Sequence, residues 1–340
     1  MIEIVVLCRV IPSPSPKNIN TIPAFLSPER EMTDTELSGV CPIVDTPFTD
    51  DGEVDYDSLD TLCATLIENE CDALALFGFA SEFYKLTDSE REKMAEQVID
   101  ACEDGGVPSI VSVTAQSTPV AVDEAQLFAD LGADAIMVLP PYVRDPPTDA
   151  IYDHLVAVGE AVDLPVMVQY APGSTGISMS PSFFADLYEE VATIDYFKIE
   201  CAPPGKFISK LHDLTDDEAS ILVGRAGYEM IETYDRGAIG VMPASAMHDI
   251  YVQIHEAYHD DRRETAVDIH SDLVVVLNQL TKVGIQWEKR ILADRGIIDS
   301  PHCRGPEDSL DETYEAIYDE YYETYVRPHI DIEATATTLN

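Results

Sequence analysis

The chain contains eight lysines: Lys17, Lys85, Lys93, Lys198, Lys206, Lys210, Lys282 and Lys289. Only Lys198 lies inside a strand-like run, Asp195-Tyr-Phe-Lys-Ile-Glu200. Side chains alternate across a strand, so Tyr196, Lys198 and Glu200 share one face and Phe197 and Ile199 the other. The Phe197/Ile199 face suits a layer of helices, which turns Lys198 inward. An ammonium group there is costly unless it is paired or loses its proton. A desolvated, uncharged lysine attacks a carbonyl carbon and forms a Schiff base. Spacing alone leaves two readings open: a carbonyl nucleophile, or a structural ion pair with Glu200 or another carboxylate.

Other strand ends carry groups that suit such a site. Gly78-Phe-Ala-Ser-Glu82 follows one apolar run, and small residues there leave backbone N–H groups free to hold an anion. Leu139-Pro-Pro-Tyr142 and Val168-Gln-Tyr-Ala-Pro172 place phenols at strand ends, where a phenol relays protons or simply packs at a rim. Gly224-Arg-Ala-Gly227 and Gly237-Ala-Ile-Gly240 flank two more strands. Glycines there allow close approach of a ligand to the backbone, or make ordinary turns.

The elements that must position these groups alternate regularly. Strand runs are expected at 40–48, 73–78, 109–114, 135–140, 165–170, 196–200, 221–224 and 240–243, with helix-periodic segments between them. Thr87-Asp-Ser-Glu90 reads as a capping box, and Asp55, Thr148 and Ser180 as N-caps. Runs such as AIMVLP and PVMVQY are apolar on both faces, as parallel strands covered by helices must be. Eight such units predict an α/β fold, a (β/α)8 TIM barrel, over residues 32–260. A doubly wound open sheet is the rival. Helices near 248–259, 262–281 and 285–325, the last broken near Pro301, predict an eighth barrel helix and then a C-terminal helical extension over 261–326. A frayed tail is expected at 327–340.

Composition limits the function. The 340 residues are 46% hydrophobic, enough for a large core, so general disorder is excluded. Lys+Arg is 20 against Asp+Glu 64, a net charge of -44. Such a surface repels phosphate backbones and anionic lipid, so no nucleic-acid or membrane partner is expected. The acids are scattered rather than gathered in a tail, which points to adaptation to high salt. Residues 1–31 instead balance three acids with three bases and precede Met32, so they are expected to lie outside the fold. Seven cysteines, an odd number without a CxxC pair, suit a reduced cytoplasmic protein. His255 and His259 have metal-ligand spacing on a helix, but that helix follows the last strand. No metal and no cofactor are expected.

Taken as a set, residues 37–304 resemble the dihydrodipicolinate synthase / N-acetylneuraminate lyase family. The matching residues are Thr46-Pro-Phe48, the Gly78-to-Glu82 turn with Leu86-Thr87 and Glu90-Arg91, Pro141-Tyr142, and Lys198. The resemblance implies a Schiff-base lyase with Lys198 as its lysine, acting on a small-molecule 2-oxo acid in a homotetramer. Ala80-Ser-Glu-Phe-Tyr-Lys-Leu86, Lys198-Ile-Glu200 and Gly237-Ala-Ile-Gly-Val-Met-Pro-Ala244 look most like the 2-keto-3-deoxy sugar acid dehydratase subgroup. The expected substrate is a compound such as L-2-keto-3-deoxyarabonate. Phe79 and Ala80 stand where the synthases carry hydroxyl residues. Gln169 stands at their catalytic tyrosine and Ser174 at their carboxylate-binding arginine, while Tyr142 matches the tyrosine that reaches a neighbouring subunit. Tyr170, Tyr142 and Gln169 are therefore the expected proton-orienting groups. Ala80, Ser81, Glu82, Gly224 and Met242 are the expected substrate-binding groups. An aldolase or 4-hydroxy-tetrahydrodipicolinate synthase using pyruvate, and a non-catalytic 2-oxo-acid-binding barrel, are the alternatives.

Overall fold

Strands that are apolar on both faces need cover on both sides. In the computed structural model, which describes residues 36–307 and 310–330, they have it. The eight strands are β1 (Gly39–Val40), β2 (Leu74–Leu76), β3 (Ser109–Val113), β4 (Ala135–Val138), β5 (Val166–Tyr170), β6 (Ile194–Ile199), β7 (Ser220–Val223) and β8 (Gly240–Val241). All neighbours are parallel, in the order β1-β8-β7-β6-β5-β4-β3-β2. Ile43 closes the ring, bridging Ala75 of β2 and Ala244 beyond β8. Ile43, Ala75, Ile110, Met137, Met167 and Leu222 fill the interior. Val111, Ile136, Val168, Phe197, Ile221 and Val241 face the helices. The fold is a (β/α)8 barrel.

The first strand is shorter than its sequence suggests. Its ladder covers Gly39–Val40, continues with single bonds from Cys41 and Ile43, and never includes Phe48. Pro42 has no N–H to give on the side of β2, where it only accepts from Ala75. Phe48 instead pairs antiparallel with Val54 in the following loop.

The helices are α1 (Tyr56–Glu68), α2 (Asp88–Gly105), α3 (Thr118–Asp130), α4 (Thr148–Gly159), α5 (Pro172–Thr175), α6 (Pro181–Glu190), α7 (Gly205–Leu214), α8 (Met230–Tyr234), α9 (His248–His259), α10 (Arg263–Val283), α11 (Ile285–Asp294) and α12 (Glu312–Tyr321). The capping box of Thr87 and Glu90 opens α2, and Gly106 ends it at φ 71. Losing such a cap costs about 1 kcal/mol. Asp55 and Ser180 cap α1 and α6 through their side chains. Thr148 does not cap α4: it is the first helical residue, and Pro147 holds the cap position with no side chain to accept a hydrogen bond.

Helix α9 completes the barrel, and α10–α12 form the extension. The break expected near Pro301 is wider than one proline. The chain leaves α11 through Gly296, at φ 72, and among the described residues the next helix opens at the Asp311 cap. The extension has its own apolar contacts, with Trp287 packed edge-on against Tyr318 at 5.4 Å. Beyond Val326 a short turn, Arg327–His329, leads to a buried Ile330. The expectations for residues 1–31 and for 331–340 lie outside the described residues. Among the described residues no helix is long and apolar enough to cross a membrane. Cys41, Cys63, Cys71, Cys102, Cys201 and Cys303 are all unpaired thiols.

Candidate active site

Lys198 projects from β6 into the barrel, flanked by Phe197 and Ile199 that face outward. Only 2% of it is exposed. Its Nζ lies 3.1 Å from Oε1 of Glu200, two residues along the same face. On β5, Gln169 stands beside Lys198 in register. Gln169 Nε2 donates to Oε2 of Glu200 at 3.1 Å. The carboxylate thus has one oxygen on the lysine and the other on the amide, which fixes its plane.

Lys198 is thus ion-paired, and it also borders open space. A cavity of about 570 Å³ lies at the strand ends, lined by Lys198 and Glu200 and by Ala80, Ser174, Arg225 and Met242 among others. Gly224, at the end of β7, does not line this cavity; it makes room for Glu200. A Cβ there would stand 2.1 Å from Glu200 Oε1 and 2.3 Å from its Cγ.

The glycine turn after β2 is a short helical turn, Phe79–Ser81. Ala80 lines the cavity. The N–H groups of Phe79 and Ala80 open this turn and have no acceptor inside it. Ser81 differs from expectation. Its N–H already donates to Gly78 O at 3.0 Å. Its hydroxyl donates to Val44 O at 2.6 Å and accepts from Phe77 N–H at 3.0 Å. Ser81 ties the turn to the first strand's loop and has no group left for a substrate. Glu82 is also spoken for. It is fully buried and ion-paired with Lys85 at 2.6 Å and with Lys289.

The two tyrosines are not brought to Lys198. Alternation on β5 turns Gln169 inward and therefore Tyr170 outward. Its ring stacks on Phe207 at 5.0 Å and contacts Phe184 at 5.1 Å. Its hydroxyl accepts from Met179 N–H at 3.2 Å, and burial raises its pKa. Tyr142 lines a separate cavity of about 270 Å³ with Gln116 and His154. Its backbone N–H donates to Gln116 Oε1 at 2.7 Å. His255 packs against His259 with ring centres 4.4 Å apart and meets Tyr234 Oη at 2.8 Å. Among the described residues no three metal-ligating side chains converge.

Three more residues line the cavity: Arg225 and Ala226, which the sequence reading quoted only as part of a glycine turn, and Thr281, which it did not single out. Arg225 and Ala226 follow β7 in consecutive left-handed conformations, φ 51 and 52. Such backbone is held only by its surroundings and clusters at functional sites. It brings Arg225 to the rim, paired with Glu229 at 2.9 Å. Nothing in the local pattern announces that conformation. Thr281 reaches the cavity from α10, outside the barrel repeats.

The site is thus a closed parallel barrel with a buried lysine at its mouth, a carboxylate beside it and open space above. The model of the Dihydrodipicolinate synthetase family matches residues 36–321, and the chain belongs to that family. It is 29% identical over 273 residues to L-2-keto-3-deoxyarabonate dehydratase of Azospirillum brasilense, covering 79% of this chain and 88% of the relative. It is 28% identical over 246 residues to 4-hydroxy-tetrahydrodipicolinate synthase of Methanococcus aeolicus, covering 72% and 83%. The structure of dihydrodipicolinate synthase from Rhodopseudomonas palustris superposes with a TM-score of 0.79 at 26% identity, over 84% of this chain and 97% of that one.

Proposed function

We propose that the protein is a Schiff-base hydro-lyase that dehydrates a 2-keto-3-deoxy sugar acid, such as L-2-keto-3-deoxyarabonate. The observation that carries this reading is the contact of Lys198 and Glu200, 3.1 Å apart on the wall of an open cavity. The substrate carboxylate rests on the Phe79 and Ala80 N–H groups, and its C2 carbonyl meets Lys198. Amine attack at C2 expels one water and leaves a protonated imine. The imine draws electrons from C3. Glu200 takes a C3 proton and the electron pair forms an enamine. The returned proton allows the C4 hydroxyl to leave as water. Hydrolysis of the imine consumes the water first released, so the net change is loss of one water from C3 and C4. Gln169 holds Glu200 for both transfers, and Arg225 on the rim meets the hydroxylated end of the substrate.

A carboxylate 3.1 Å from the lysine supports dehydration, because dehydration needs a base for the C3 proton. The dehydratase relative supports the same choice. A pyruvate-using aldolase or synthase is the second reading, favoured by the synthase relatives. Proton NMR of products from 2-keto-3-deoxypentonates, and from pyruvate with aldehydes, separates the two. Borohydride with a 2-oxo acid, followed by peptide mass mapping, tests the first step. Label on any residue other than Lys198 rejects the assignment.

A further inference from the structure

The turn that carries Ala80 is gripped from two sides. On the inner side Thr46 Oγ1 donates to Ser81 O at 2.5 Å, beside the Ser81–Val44 bond. On the outer side the grip comes from beyond the barrel. Glu82 follows the turn in left-handed backbone, φ 51. A residue with a Cβ takes that conformation only where its surroundings hold it. Its carboxylate meets Lys289 of α11, and both side chains are fully buried. Lys289 also donates to His302 O at 3.3 Å and lies 4.2 Å from the centre of the Phe48 ring. Arg304 covers the same ring at 4.4 Å. Arg304 donates to Gly52 O at 2.8 Å and to Lys85 O at 2.9 Å, and pairs with Glu90.

A buried ion pair gains little net stability, because desolvation offsets the attraction. Such a pair is better explained by the single arrangement that it imposes. We infer that Lys289 and Arg304 of the C-terminal extension are positioning residues for the barrel's anion-holding turn. Lys289 fixes Glu82 and Arg304 fixes the carbonyl of Lys85. Together they aim the Phe79 and Ala80 N–H groups at the carboxylate of any 2-oxo acid in the cavity. Neither residue touches substrate. The inference rests on the reading of Lys198 and the turn given above.

The test measures borohydride trapping of pyruvate on Lys198 as a function of pyruvate concentration. Three full-length proteins are compared: the parent, Lys289→Met combined with Glu82→Gln, and Arg304→Gln. The double change removes both charges of the Lys289–Glu82 pair and leaves Lys85 its other partner, Glu307. The expected result is a half-saturating concentration raised about tenfold or more in the double variant and about threefold or more in Arg304→Gln, with the trapping rate at saturation within about threefold of the parent. A purely structural role lowers the melting temperature and leaves half-saturation alone. Half-saturation within about twofold of the parent in the folded variants overturns the inference, and Arg304→Gln decides alone if the double variant does not fold. A parent that takes no label on Lys198 overturns the reading of the site and this inference with it. A labelled parent beside variants of unchanged half-saturation overturns this inference only.

Discussion

Gly224 and Glu200 share one space: the side chain that the first lacks would occupy the place where the carboxyl group of the second lies, its Cβ only 2.1 Å from Oε1. Gly224→Ala therefore forces Glu200 off both Lys198 and Gln169. The expected outcome is a folded protein whose turnover falls by about tenfold or more. Steady-state kinetics beside circular dichroism checks it; unchanged kcat would show that Glu200 has no need of that position.

Glu200 and Lys198 should separate the two halves of the reaction. Glu200→Gln keeps the shape and a partner for Gln169 but cannot carry the proton. Borohydride trapping is expected to continue while dehydration falls by about 10²–10⁴-fold. Lys198→Ala is expected to abolish both. Equal loss of trapping and turnover in Glu200→Gln would assign the carboxylate to imine formation instead.

Tyr170 faces the helices, so its hydroxyl is expected to matter little to catalysis. Tyr170→Phe loses one hydrogen bond from Met179, worth about 1 kcal/mol of stability. Its kcat is expected to stay within about threefold of the parent, whereas Gln169→Ala, which releases Glu200, is expected to lose more. A large kcat loss in Tyr170→Phe with normal folding contradicts this placement.

Stability should depend on pH through buried acids near the first strand's loop. Burial raises Glu288 to about 8, helped by the negative charge of Asp45, and burial raises Asp45 to about 6. Each binds its proton more tightly folded than unfolded. Each contribution is complete below the ordinary carboxylate range and is lost as pH rises through the folded value. His248, held down to about 4 by burial, acts oppositely, losing its contribution as pH falls below the ordinary imidazole value. Glu288→Gln isolates the first effect. Its melting temperature relative to the parent is expected to rise between about pH 5 and about pH 9. A constant difference across that range would mean that Glu288 is ionised throughout.

The charge of -44 sets a further expectation. Self-repulsion among exposed carboxylates weakens as the Debye length shrinks from about 10 Å at 0.1 M salt to about 3 Å at 1 M. The melting temperature is expected to rise with potassium chloride over that range. The buried Lys289–Glu82 pair is screened much less and does not oppose the rise. A flat or falling dependence would remove the case for adaptation to salt.

The repeat of strand and helix was legible because its cause is local. Two-faced apolar runs, the Thr87–Glu90 capping box and the alternation that turns Phe197 outward are properties of neighbouring residues. They determined the barrel and the direction of Lys198. The same alternation, applied to β5, would have turned Tyr170 away once Gln169 was placed inward.

Tertiary structure alone decided the rest. Beside its neighbour Lys85, Glu82 has a second partner far along the chain on α11, and the partner of Ser81's hydroxyl is a carbonyl on the first strand's loop. The reach of Arg225 depends on a left-handed backbone that its own sequence does not require. Whether a buried carboxylate serves a substrate or an ion pair depends on which charge the folded chain brings beside it, and no spacing along the chain records that.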